Sequence, residues 1–328
     1  MGRPSLLLIF ATCALLSCAK HDSDNQPKSA LPGKLRAAAD AAASTSPTGS
    51  APLPHSLYLK DDYPQLIARS QNGDARATCQ LATNLDFCAG AEEDAKRLGE
   101  ARERIEQINT SNPSKQGTLA TFTELARLRG EYCVGVPTAS PSERVRYWRR
   151  AAMAGHLPSL LHYASGRAFR SNETLALLDE LKAFRSEALP MMKEAATSGS
   201  FQANVMLARV YSPERPPNRA ALLEQAVGKK DKAKALAYFM VAEQIARQGG
   251  GGNDPDARLV PHEIEVLQRF MTEDEIVASN QVFRELMARQ TALGATDPGA
   301  ESRTIQEGYL AVPETTSCEK GTLLGRSR

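Results

Sequence analysis

Apolar side chains follow three regimes along this 328-residue chain. From Leu6 to Leu16 they run on, broken only at Thr12 and Cys13. From Ala19 to His55 large apolar residues almost vanish among Ala, Ser, Thr and Pro. From about Leu57 they recur every three or four positions, the period of an amphipathic helix. This third regime predicts helices at 62–71, 75–88, 91–109, 118–132, 141–154, 157–169, 173–183, 186–197, 201–211, 218–227, 231–248, 262–270 and 273–293. No stretch alternates for long enough to predict a strand, so the fold class is all-α. Thr272 with Glu275 three positions on has the pattern of a capping box. The run Gly249-Gly250-Gly251-Gly252-Asn253-Asp254-Pro255 must interrupt helicity. Past Ala292 the period is lost, which bounds a helical body at 57–293 and leaves 294–328 as a loosely held tail.

Within the body one pattern returns. Val145-Arg146-Tyr147-Trp148-Arg149-Arg150-Ala151-Ala152-Met153-Ala154-Gly155 is followed 44 residues later by Leu189-Pro190-Met191-Met192-Lys193-Glu194-Ala195-Ala196-Thr197-Ser198-Gly199. Each continues into a second helix, where Tyr163-Ala164 matches Leu207-Ala208. A third copy lies upstream at Gly73-Asp74-Ala75-Arg76-Ala77, and Lys234 to Ala242 makes a partial fourth. Paired alanines let helices approach closely, and the glycine supplies the left-handed turn that ends the first helix. A small residue four positions on, Ala77 or Ala203 (Ser159 in the middle copy), does the same for the second helix. Each hairpin then leaves an apolar face for the next to cover, so the units stack into an irregular α-solenoid.

These residues resemble the Sel-one-like repeat, a short relative of the tetratricopeptide repeat. The closest stretch runs from Tyr132 to Tyr163, where Gly135-Val136-Pro137 resembles that family's inter-repeat loop. The resemblance is clear in two copies and weak in two, and covers roughly half of residues 64–248. Unequal spacing, and the extra helices at 91–132 and 173–183, depart from a regular array. Generic helical hairpins with Ala-Gly turns are the competing reading. The resemblance implies binding of a protein or peptide and does not name the partner.

The N-terminal regimes add a second resemblance. A run of eleven residues is too short to span a bilayer, which takes roughly 20, but it suits the core of a secretory signal with Arg3 at its basic start. The run closes on Leu15-Leu16-Ser17-Cys18, which resembles the lipobox of bacterial lipoproteins. That resemblance implies removal of residues 1–17 and a diacylglycerol on the Cys18 thiol. Cleavage after Ala19 is the alternative, since Ser17-Cys18-Ala19 loosely fits a small-x-small site. In the lipoprotein reading Ala19, in place of the aspartate linked with inner-membrane retention, favours the outer membrane facing the periplasm; the inner membrane stays open. Residues 18–56 then read as a lipidated cysteine and a flexible tether, too poor in large apolar side chains to order itself. Its 37 residues from Ala19 to His55 give a mean reach of about 30–37 Å.

Charge and composition exclude more than they assign. Without residues 1–17 the chain keeps 39 Lys and Arg against 38 Asp and Glu, no basic excess that would suit nucleic acid. Aromatic residues make up only 5%, and alanine and leucine carry the apolar content, as close-packed helices require.

Outside the signal and the lipid site four cysteines remain: Cys79, Cys88, Cys133 and Cys318. An even number in an exported chain favours disulfides. Cys79 and Cys88, nine residues apart on one helix, stand about 13.5 Å from each other, beyond the roughly 7 Å a bridge tolerates. Cys88 and Cys133 each close a predicted helix before a glycine-containing turn, at one end of the stack. The favoured pairing is therefore Cys88–Cys133, with Cys79–Cys318 pinning the tail; buried free thiols are the alternative. No C-x-x-C or histidine pair suits a metal.

Motifs for catalysis are absent from the sequence. His262-Glu263 is followed by Val266 where a zinc-protease helix needs a second histidine. No Gly-Lys-Ser/Thr follows the glycine run, and no G-x-S-x-G elbow occurs. His156 sits in a turn and reads as a surface residue, and His162 lies six residues on, off its face. Glu92, Glu93 and Asp94, like Glu273, Asp274 and Glu275, read as charges favoured at helix starts. Trp148 with Val145 and Ala152 forms the apolar face of one helix. Arg146, Arg149 and Arg150 form the opposite face, either merely solvated or turned to an acidic partner or lipid headgroups. The expectation is a non-catalytic, membrane-anchored interaction scaffold with no cofactor, metal or small-molecule substrate. An inhibitor-type lipoprotein blocking a toxin or an envelope hydrolase is the alternative.

Overall fold

The computed structural model describes residues 51–108, 113–213, 221–248 and 255–290, with 313, 315–320 and 323–324 near the C-terminus. All belong to one of two units, Pro47–Arg328. The signal segment, Cys18, most of the tether and residues 291–312 of the tail lie outside the described residues.

The body is all-α. Its helices are α1 (Leu59–Gln71), α2 (Ala75–Ile108), α3 (Pro113–Cys133), α4 (Pro141–Met153), α5 (Leu157–Ala164), α6 (Leu178–Thr197), α7 (Phe201–Tyr211), α8 (Ala221–Val227), α9 (Lys232–Gln248), α10 (Pro255–Gln268), α11 (Glu273–Arg289) and α12 (Thr316–Lys320). A 3-10 turn, Ser171–Leu177, leads into α6. Among the described residues there is no strand, only one isolated bridge between His156 and Leu323.

Local signals explain the start and stop of α4. Ser140 accepts from the Glu143 amide while the Glu143 carboxylate accepts from the Ser140 amide, a full capping box with Pro141 behind it. Thr272 and Glu275 close the same box on α11. At the other end of α4, the amides of His156 and Gly155 bond to the carbonyls of Ala151 and Ala152 at 3.1 and 3.0 Å. Gly155 sits at φ 80°, so the pair is a Schellman turn. The same two bonds recur at Gly199 after α6 and at Gly73 after α1, with φ 87° and 85°. Ala77, Ala151, Ala152, Ala195 and Ala196 are all buried beside them, which is how helices with these turns come close.

The helices pack in series: α1 on α2, α2 on α4, α4 on α5, α5 on α6, α6 on α7, α7 on α9, and α9 on α10 and α11. One continuous apolar core follows this series, with Trp148, Tyr163, Phe184, Phe201 and Phe239 as its largest buried side chains. α8 rests on α6 and α7, and α3 packs chiefly on α2.

Several boundaries differ from the expectation. The predicted helices 75–88 and 91–109 are one helix of 34 residues. Gly90 does not break it, and beside it the Arg170 guanidinium donates to the Asp86 carbonyl at 2.6 Å. Glu92, Glu93 and Asp94 are therefore mid-helix groups, paired with Thr138, Arg97 and Arg129, and not helix-start charges. The helix predicted to reach 169 stops at Ala164, ended by a fourth Schellman turn at Gly166. Residues 173–183 and 186–197 join into the 3-10 turn and α6. α10 begins at Pro255 and carries Pro261 inside it, so His262 lies mid-helix.

The two ends of the body are held more firmly than expected. Arg69 donates to the Ala51 and Pro52 carbonyls, Gln80 donates to Pro54, and Leu53 is buried. Residues 51–56 thus belong to the body and not to the tether. In the tail, Thr315, Ser317, Cys318 and Leu324 are buried, and the Leu324 amide bonds to the Gly155 carbonyl at 2.8 Å. These residues strap α2 to α5.

Candidate functional site

The arginine face of α4 is partly committed within the chain. Arg146 Nε lies 3.0 Å from Glu180 Oε1, and Arg149 Nε lies 2.7 Å from Glu187 Oε2. Glu187 also accepts from the Tyr163 hydroxyl at 3.2 Å. Both arginines therefore tie α4 to α6, and the Glu187 hydrogen bond holds the Arg149 guanidinium charged, raising its pKa. Arg150 lies over the Tyr147 ring at 5.4 Å and stays exposed, so the surface it offers a partner is narrower than three arginines.

Beneath that face is a buried polar junction that the sequence did not suggest. Asp86 on α2 accepts from the Trp148 indole and from Arg144 Nε, the latter at 2.9 Å. Arg144 also pairs with Glu173 and donates to the Ala139 carbonyl at 3.0 Å. Burial pushes the Asp86 carboxyl above its ordinary range, against the opposing pull of Trp148, Arg170 and Arg144. Every strong donor here already has an acceptor, so the junction is a clamp between α2, α4 and the 3-10 turn.

Both body histidines of the second hairpin are buried, which corrects the reading of His156 as a surface residue. His156 Nδ1 lies 2.8 Å from Ser159 Oγ, and Nε2 lies 3.1 Å from the Cys318 carbonyl. The strap covers it, and no sequence signal near residue 156 shows that residues 162 positions away would do so. His162 stacks on Trp148 with centroids 4.0 Å apart, and neither of its ring nitrogens has a hydrogen-bond partner. Desolvation lowers the His156 pKa to about 4 and that of His162 to about 3. A neutral, stacked imidazole is a core side chain. Among the described residues no group of three or more His, Cys, Asp or Glu could hold one metal ion.

The cysteines pair as Cys79–Cys318 and Cys88–Cys133, with Cα separations of 5.5 and 5.6 Å. These are the favoured pairs, though for a different reason at Cys88. It does not end a helix but sits within α2, facing the last residue of α3. Glu319, beside Cys318, gathers both ends of the body: it accepts from the Leu53 amide at 3.4 Å and lies 3.5 Å from His55 Nε2, while Arg76 donates to its carbonyl.

No helix among the described residues is long and apolar enough to cross a membrane. Comparison with protein-family models, curated proteins and solved structures found no match.

Proposed function

We propose that this chain is a lipid-anchored interaction scaffold of the bacterial cell envelope, held through Cys18 at the outer membrane and carrying its helical body on the periplasmic side. In this reading the hairpins are Sel-one-like units and the occupant is a protein or peptide. One observation supports it most: hairpins with the same Schellman turn at Gly73, Gly155 and Gly199 pack in series over a single core. Such series present long surfaces to partners. The ionisable groups brought together at Asp86, Arg144, Glu173, Arg149 and Glu187 serve helix-to-helix clamps, which fits a scaffold better than a catalytic centre.

Two measurements test the proposal. Cys18→Ala should leave the precursor unlipidated and move the protein out of the membrane fraction without detergent; wild-type maturation and fractionation would refute the anchor. Crosslinking of the anchored full-length chain in intact cells should return one discrete protein partner in independent preparations. Turnover of a cell-wall or peptide substrate by the purified chain would overturn the scaffold reading.

A further inference from the structure

The two disulfides differ in their access to solvent. Cys79 and Cys318 have no exposed surface. Their bridge lies under the strap, beside Thr83 Oγ1 at 3.5 Å from Cys318 Sγ, and the Cys318 carbonyl is held by His156. Cys88 and Cys133 are both partly exposed. Exchange requires a thiolate to reach a sulfur, so access alone separates the pairs.

Their mechanical consequences differ as well. Cys79–Cys318 spans 239 residues and ties the tail to the first and second hairpins, where buried side chains surround it. Cys88–Cys133 spans 45 residues and joins the middle of α2 to the end of α3. Beyond the bridge, the described side-chain contacts of α3 with α2 gather near its C-terminal end. Tyr132 donates to Asn84 at 3.2 Å and meets the Phe87 ring edge-on at 5.7 Å. Arg129 pairs with Asp94 and lies over Phe87 at 4.9 Å. Between Gly117 and Glu131 no described side chain of α3 is buried.

We propose that Cys88–Cys133 is a thiol-exchange site for dithiol reductants, whose opening loosens α3 from α2, while Cys79–Cys318 is a latch closed to the same chemistry. One thiolate of the reductant attacks a sulfur of the pair, and the S–S bond breaks. The leaving cysteine departs as a thiolate and takes a proton. The second thiol of the reductant then resolves the mixed disulfide. The net change is one dithiol oxidised to its disulfide and Cys88 and Cys133 reduced to two thiols. α3 then keeps its non-covalent contacts, those of Tyr132 and Arg129 among them, without the covalent tie, so its surface and that of α2 beneath it become available while the hairpin series stays closed.

The test uses the full-length oxidised chain, dithiothreitol at non-denaturing concentration, and timed alkylation read by mass spectrometry. Cys88 and Cys133 should alkylate on the order of tenfold or more faster than Cys79 and Cys318. Hydrogen exchange at that stage should rise across 113–133 and stay unchanged across 201–211. The double variant Cys88→Ser with Cys133→Ser should show the raised exchange without reductant. Equal reduction of both pairs, or α3 protection that survives selective reduction, would overturn the proposal.

Discussion

α5 buries all eight of its residues, while over the fifteen positions from Gly117 to Glu131 α3 buries none of those described. Both segments carry apolar side chains at helical spacing: Leu157, Leu160, Leu161 and Ala164 in one, Leu119, Phe122, Leu125 and Ala126 in the other. The difference lies in their neighbours. α5 is walled by α4, α6 and the strap, whereas α3 has chiefly α2. Isolated helices of this length are marginal in water, so α5 is helical because the series buries it. The distal α2–α3 hairpin leans on local terms: Arg97–Glu93, Arg104–Glu100 and Arg127 between Glu124 and Glu131, exposed pairs that solvent screens and that add little each. The same period in sequence thus marks two kinds of stability, one shared across the core and one kept within a hairpin.

Acid should expose that difference most strongly. His156 and His162 are neutral in the fold, with pKa lowered to about 4 and about 3 by burial, whereas the unfolded chain titrates near 6.5. Their stabilising effect is complete above pH 6.5 and declines as pH falls from there toward the folded values. At pH 5 each has removed about 2 kcal/mol. Asp86 acts in the opposite sense, since a raised carboxyl pKa adds stability as pH falls. Denaturant midpoints at pH 7.5, 6 and 5 should drop steeply, while the protection factors of 117–131, corrected for intrinsic exchange at each pH, barely change over the same range. His162→Phe keeps the stack on Trp148, forfeits no hydrogen bond, and should remove about half of the slope. An unchanged slope in that variant would show that His162 is not buried as a neutral ring.

Enlarging a small side chain in the series comes next. Ala152 is fully buried, and Ala152→Leu should destabilise by about 1–3 kcal/mol. Arg149→Ala breaks the clamp to Glu187, a pair whose arginine is 39% exposed, and should cost about 1 kcal/mol or less. Thermal melts of both variants measure the contrast. Equal, negligible shifts would mean that α4 does not pack as described.

Much of this was legible because the signals are local. The bounds of α7, the turns at Gly73, Gly155 and Gly199, and the burial of Trp148 follow from spacing and turn chemistry within a few residues. Two further local signals, the Ser140–Glu143 capping box and the turn at Gly166, fell outside the sequence reading, which carried a helix through Gly166 to 169. What the sequence hid depends on partners far along the chain. His156 is buried because Cys318 and Leu324 cover it, and Arg149 is engaged because Glu187 lies across on α6. The placement of Cys18 and of the tether rests on the N-terminal pattern alone.

The smallest expected effect separates the two regions most cleanly. Gly99 lies inside α2 on the distal hairpin, and a Cβ built there meets nothing within 4 Å. Its backbone is helical, so Gly99→Ala strains nothing and removes the conformational freedom that glycine brings to the unfolded chain. The gain should be about 0.5–1 kcal/mol. If the distal hairpin opens on its own, that gain appears as slower exchange across the neighbouring residues of α2, and the global melting temperature hardly moves, because local openings lie below global unfolding in free energy. If the hairpin instead unfolds with the series, the melting temperature rises and exchange slows in α5 and α7 as well. Hydrogen exchange and a thermal melt on the same sample decide between these outcomes, and the second would erase the distinction between hairpin and series.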